Sequence, residues 1–166
     1  MDPVFRWIEA CALSTWTRES TSIFAFPGIL VAHAIGMAFA VGVNAGIAFR
    51  LLGAAPGIPT REMRAFAGVM WSGFWLNLAS GVLLLIAYPT KAMTNPLFYL
   101  KLCLIAVAMR FFVLIDRRIR SGFTSDRGGS SSTLRSFALA SLLCWGGAIT
   151  AGRLLAYTFR RMSVNW

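Results

Sequence analysis

The sequence predicts an all-α polytopic membrane protein, a four-transmembrane-helix bundle with a short N-terminal amphipathic interfacial helix. Three observations predict it. The 166-residue chain is 57% hydrophobic and only 13% charged, whereas a soluble domain is about a quarter charged. Between Ile23 and Phe49 the only ionisable side chain is His33. Four apolar segments recur, each near the ~20 residues a helix needs to cross the hydrocarbon at 1.5 Å per residue. Residues 1–166 therefore read as a single membrane domain.

The first element is "DPVFRWIEACALSTW". Val4, Trp7, Ile8 and Cys11 recur at helical spacing, opposite Arg6 and Glu9. The segment is too short and too charged to span. It predicts an interfacial helix over 1–20, with Trp7 and Trp16 at headgroup level. Asp2, Arg6, Glu9, Arg18 and Glu19 precede the first long apolar run. That is not a secretory-signal pattern, so the first span is expected to be retained.

The spans fall at about 23–50, 66–88, 97–115 and 134–158. Pro56 and Gly57 break the chain after the first, and Pro89 and Pro96 bracket "PTKAMTNP". "SGFTSDRGGSSST" at 121–133 predicts a flexible loop.

The net charge is +10, from 16 Lys+Arg against 6 Asp+Glu. The basic residues cluster at helix ends and in loops, so membrane lipids account for them and nucleic acid is not an expected partner. The 51–65 and 116–133 loops with their flanks hold Arg50, Arg61, Arg64, Arg110, Arg117, Arg118, Arg120, Arg127 and Arg135. The other side holds Arg6, Arg18, Lys91, Lys101, Arg153, Arg160 and Arg161. Basic loops face the cytoplasm. This predicts a multi-pass protein of the bacterial inner membrane with periplasmic termini. Cys11, Cys103 and Cys144 are odd in number and form no C-x-x-C pair. They read as small hydrophobes, and no metal site is expected.

Ionisable groups within a bilayer are costly and usually face the bundle interior. With that topology His33, Lys101, Arg153, Tyr157 and Tyr88 share one leaflet, the outer. Lys101 and Arg153 either snorkel to lipid phosphates or form an anion site for a lipid headgroup, haem propionates or a quinone head. His33 either hydrogen-bonds across helices, with Asn77, Ser80 or a backbone carbonyl, or ligates haem iron or copper. Met37, one turn on, is a soft second donor, but a six-coordinate haem b usually takes two histidines and the chain has one. Asn44 and Asn77 are placed to bond across helices. Gly42 and Gly46 form a G-x-x-x-G face with Gly36 nearly in line, a pattern that lets helices approach closely.

No acidic residue lies within a span, and the chain has no phosphate loop and no H-E-x-x-H. Catalysis is therefore not expected. The leading expectation is a non-catalytic accessory subunit packing against other membrane subunits, with no cofactor. The alternative is a redox subunit binding haem b or quinone through His33, Lys101 and Arg153. Small-molecule or ion transport ranks third, for want of an intramembrane acid.

The motifs also occur in a recognisable order. They are Pro27, His33 and Gly36 as P-x5-H-x2-G, "RLLG" from Arg50 to Gly53, "NPLFYLKL" from Asn95 to Leu102, and "W…AGRLLAY" from Trp145 to Tyr157. This order resembles a family of small bacterial four-helix membrane proteins, the domain of unknown function numbered 6644. The resemblance spans about Trp7 to Tyr157. It implies four helices, no established activity, and pattern positions at His33, Gly36, Arg50, Lys101, Gly152 and Arg153. It further implies an acid one turn before the histidine and another just before "RLLG", where this chain has Leu30 and Ala48. Without those partners, the resemblance favours a structural role for the histidine.

Overall fold

The computed structural model describes residues 3–54, 57–59, 62, 64–121 and 132–162. The architecture is all-α, with no strand among the described residues. Four helices are long and apolar enough to cross a membrane. They are α3 (Phe26–Leu52), α4 (Ala67–Ala87), α6 (Pro96–Arg120) and α7 (Ser132–Met162). Pro56, Arg61, Arg127 and most of the expected Gly/Ser loop lie outside the described residues.

Helix ends follow local chemistry. Pro27 sits in the first turn of α3, where its missing N–H costs nothing, and Gly53 closes the helix at φ 101°. Asn95 caps α6, its side chain accepting from the Leu97 N–H at 3.0 Å. The sequence places the end of this span near 115, but α6 continues to Arg120. Arg117, Arg118 and Arg120 suit its negative C-terminal end, and Asp116 pairs with Arg120 one turn on.

The N-terminal segment corrects one expectation. It is two helices, α1 (Pro3–Glu9) and α2 (Ala12–Glu19). The chain breaks at Cys11, whose sulfur accepts from the Ser14 N–H, and Arg18 donates to the Glu9 carbonyl at 2.8 Å. The buried face of α2 is small and polar, Ser14 and Thr17, while Val4, Trp7, Leu13 and Trp16 point outward. An apolar outer face is the arrangement of a helix lying in lipid. The proline-bracketed connection is also partly helical, as the short α5 (Pro89–Met93). Thr90 Oγ1 donates to Glu9 Oε1 at 2.8 Å and ties α1 to α5.

The spans form two hairpin-like pairs, α3 with α4 and α6 with α7, joined mainly through α3 and α7. Between helices in lipid the hydrophobic effect gives little drive, so close packing and hydrogen bonds must hold them. At the crossing of α3 and α4, a Cβ on Gly36 would stand 2.6 Å from the Asn77 nitrogen, and one on Gly73 would stand 2.9 Å from the Ala40 nitrogen. Only glycine fits at either place. Gly42, by contrast, is exposed with nothing near its missing Cβ. The contact stripe of α3 towards α4 is thus Gly36–Ala40, on the face that carries His33, and Gly42 lies off it.

At the end holding the C-terminus of α3 the pairs converge. Leu51, Met70, Phe112, Ile115 and Leu134 are buried together there, and Trp71 meets Phe112 edge-on at 6.4 Å. Midway, Ser141 on α7 donates to Asn44 Oδ1 on α3 at 2.9 Å. Towards the other end α4 and α6 part, and α5 bridges the gap.

Candidate functional site

His33 lies two turns inside the N-terminus of α3, on the face that meets α4. Its Nδ1 stands 3.1 Å from the Asn77 carbonyl oxygen and 3.1 Å from Ser80 Oγ. A carbonyl cannot donate, so Nδ1 carries the proton and donates it. The Ser80 hydroxyl donates to the Leu76 carbonyl at 2.7 Å and offers its lone pair to the same N–H. In return Asn77 Nδ2 donates to the His33 carbonyl at 2.8 Å. The imidazole is therefore fixed as the Nδ1–H tautomer, which leaves the Nε2 lone pair unclaimed among the described residues.

The ring has room because of a third glycine. A Cβ on Gly81 would stand 3.2 Å from His33 Cε1. Gly73, Asn77 and Gly81 recur every four residues on α4, so one stripe supplies the close approach, the carbonyl and the space. That signal is present in "GFWLNLASG", but the sequence reading picked out only Asn77 and Ser80. A polar residue between two glycines of a helical stripe is the pattern to look for.

The other edge of the site is a cleft of about 690 Å³ where the two helix pairs part, lined from α3, α4, α5, α6 and α7. This is within the size range of small-molecule sites. Its walls are largely apolar, including Leu30, Leu84, Leu85, Phe98 and Leu155, and its polar lining comes from His33, Tyr88, Lys91 and Lys101. Among the described residues no carboxylate lines it.

Lys101 is half-buried within α6, and its side chain lies along Gly152, whose missing Cβ would be 3.8 Å from Nζ. No described residue pairs with that ammonium. Lys91 is exposed on α5, its Nζ 4.2 Å from the Tyr88 ring centre, and Phe26 stacks edge-on against the same ring at 5.9 Å. The lining thus runs from an exposed cation and a phenol at the rim, through a half-buried cation, to an imidazole deeper in. This suits an amphiphile with anionic or oxygen-bearing groups.

The sequence groups His33, Lys101, Arg153 and Tyr157 as one site. The structure brings His33 and Lys101 to the cleft and leaves Arg153 and Tyr157 off it, both exposed. The reason is helical phase. Gly152 faces Lys101, and Arg153, the next residue, is turned by about 100° on a 3.6-residue helix. An arginine that far round points outward, the snorkelling alternative for that residue. Asn44 and Gly36 lie at interhelical contacts, and Gly42 does not. No known family, curated protein or solved structure matches this chain.

Proposed function

We propose that the protein is a non-catalytic subunit of the bacterial inner membrane that holds a membrane-soluble redox ligand, of the haem or quinone class, in the cleft between its helix pairs. One observation carries the reading. His33 and Lys101, both ionisable, half-buried and set within spans, line the same cleft. Two such costly groups on one apolar cavity are what a bound polar head would compensate. A fixed Nδ1–H with Nε2 uncommitted is also how proteins prepare an imidazole to bind a ligand.

The accessory-subunit expectation is absorbed rather than discarded. The described lining residues include no carboxylate to complete acid–base chemistry, and the reading assigns turnover to a partner subunit. Periplasmic termini belong to the same proposal and rest on the distribution of arginine. Membership of the four-helix family of unknown function rests on the ordered motifs alone. Gentle purification, organic extraction and mass analysis of the extract test the reading. A stoichiometric quinone or porphyrin is the expected result, and an extract holding only bulk membrane lipid overturns it.

A further inference from the structure

We propose that the ligand is haem b, that His33 Nε2 is its axial iron ligand, and that Lys101 holds a propionate. This inference rests on the ligand-binding reading of the cleft. Three features select haem within that class.

The first is the tautomer. Nδ1 donates to the Asn77 carbonyl, with Ser80 Oγ at the same distance. An iron-ligating imidazole donates its remote N–H to just such an oxygen, which fixes the ring plane and raises the basicity of the ligating nitrogen.

The second is depth. Counting 1.5 Å per residue, Lys101 lies about 7 Å along α6 from Pro96, and His33 about 10 Å along α3 from Phe26. These helix ends lie at the same end of the bundle, and Lys91 is nearer still to the surface. A haem oriented with its propionates towards the headgroups meets cations at the rim and a nitrogen ligand deeper in. An anionic phospholipid would satisfy the cations but set its acyl chains against the imidazole.

The third is charge. With Lys101 in the lining and no carboxylate among its described residues, the cleft matches an anionic propionate. A quinone head carries no anion. Because the chain has a single histidine, and Met37 lies one turn along the same helix, one chain supplies iron with one axial ligand.

The test is titration of the purified, full-length chain with haemin in detergent, followed by absorption spectroscopy. Wild type is expected to develop a Soret band saturating at one haem per chain, and its reduced form to bind carbon monoxide. His33→Gln, which keeps a hydrogen-bonding side chain, should lose the shifted band while remaining folded by circular dichroism. His33→Gly should recover it on addition of imidazole. Lys101→Ala should keep the band and weaken haemin binding about tenfold, as expected for loss of one charge-assisted hydrogen bond. No shift beyond that in empty detergent, or a shift unaltered in His33→Gln, overturns the haem assignment. A quinone in the organic extract would then leave the ligand-binding reading standing, whereas an extract of bulk lipid alone would remove both.

Discussion

His33 and Asn77 each donate from the side chain to the other's backbone carbonyl, at 3.1 and 2.8 Å. This reciprocal pair joins α3 to α4 beside the glycine crossing and leaves the other imidazole nitrogen uncommitted among the described residues. In lipid an unpaired N–H costs several kcal/mol before relaxation, so the pair serves packing and site geometry together. Interhelical hydrogen bonds measured in membrane proteins average about 0.6 kcal/mol and reach about 2. His33→Gln should therefore lose less than about 1 kcal/mol of stability. His33→Leu should lose about 1–2 kcal/mol, because the Nδ1–H shared by the Asn77 carbonyl and Ser80 Oγ is lost. Unfolding in mixed micelles measures both, and equal stability for wild type and His33→Leu would contradict the pairing.

The glycine crossing predicts a sharper effect. A Cβ at Gly36 or Gly73 would meet backbone atoms at 2.6–2.9 Å, and backbone cannot rotate away. Gly36→Ala or Gly73→Ala should cost about 2–3 kcal/mol, the upper range for overpacking. Gly42→Ala is the control, with open space around it, and should be neutral or slightly stabilising through better helix propensity. Thermal unfolding of the three variants checks the ranking. A Gly42 variant as damaged as the other two would mean that the packed face of α3 has been misassigned.

Ser141 and Asn44 make the buried link between α3 and α7, and Asn44 Nδ2 and Trp145 Nε1 have no partner beside it. Ser141→Ala would leave the Asn44 carbonyl oxygen unpaired as well, at about 1–3 kcal/mol. Replacing both, as Asn44→Leu with Ser141→Ala, removes the polar pair altogether and should be less damaging than Ser141→Ala alone. Chemical unfolding in detergent gives the comparison, and additive losses would contradict it.

Much of this architecture is legible in the chain because a bilayer permits few solutions. A long run with a single imidazole, such as 23–49, has to be a helix whose backbone satisfies itself. The partners of His33 are legible too, since Asn77 and Ser80 are among the few polar residues of the next span. What is not legible is rotation. Arg153 and Tyr157 are at the right depth for the site, but depth says nothing of which way a side chain faces, and Gly152 is the residue turned to Lys101. Gly42 misleads for the same reason, since small-residue spacing marks a face without naming its neighbour. The break between α1 and α2 hinges on a cysteine acting as a cap, a weak acceptor with little sequence signature.

That rotational difference separates two arginine- and lysine-based accounts of ligand binding. Lys101→Ala should weaken retention of the bound ligand about tenfold. Arg153→Ala and Tyr157→Phe should leave it unchanged, because both side chains lie off the cleft. Ligand retained through size-exclusion chromatography reports the difference. Loss of ligand in Arg153→Ala would restore the four-residue site that the sequence suggests.

Orientation is tested separately. Reporter fusions at Gly128 and at the C-terminus should give a cytoplasmic signal at the first and a periplasmic signal at the second, since the 51–65 and 116–133 loops carry the arginine excess. A periplasmic signal at Gly128 would invert the topology and move the cleft to the cytoplasmic leaflet.

The central claim is that His33 and Lys101 together hold a membrane-soluble ligand, and native mass spectrometry of the chain released from its own membrane tests it most directly. Wild type is expected to carry one adduct of a single defined mass, present also in Arg153→Ala and absent when His33→Ala and Lys101→Ala are combined. A bare wild-type chain, or an adduct that survives in the double variant, would contradict the account.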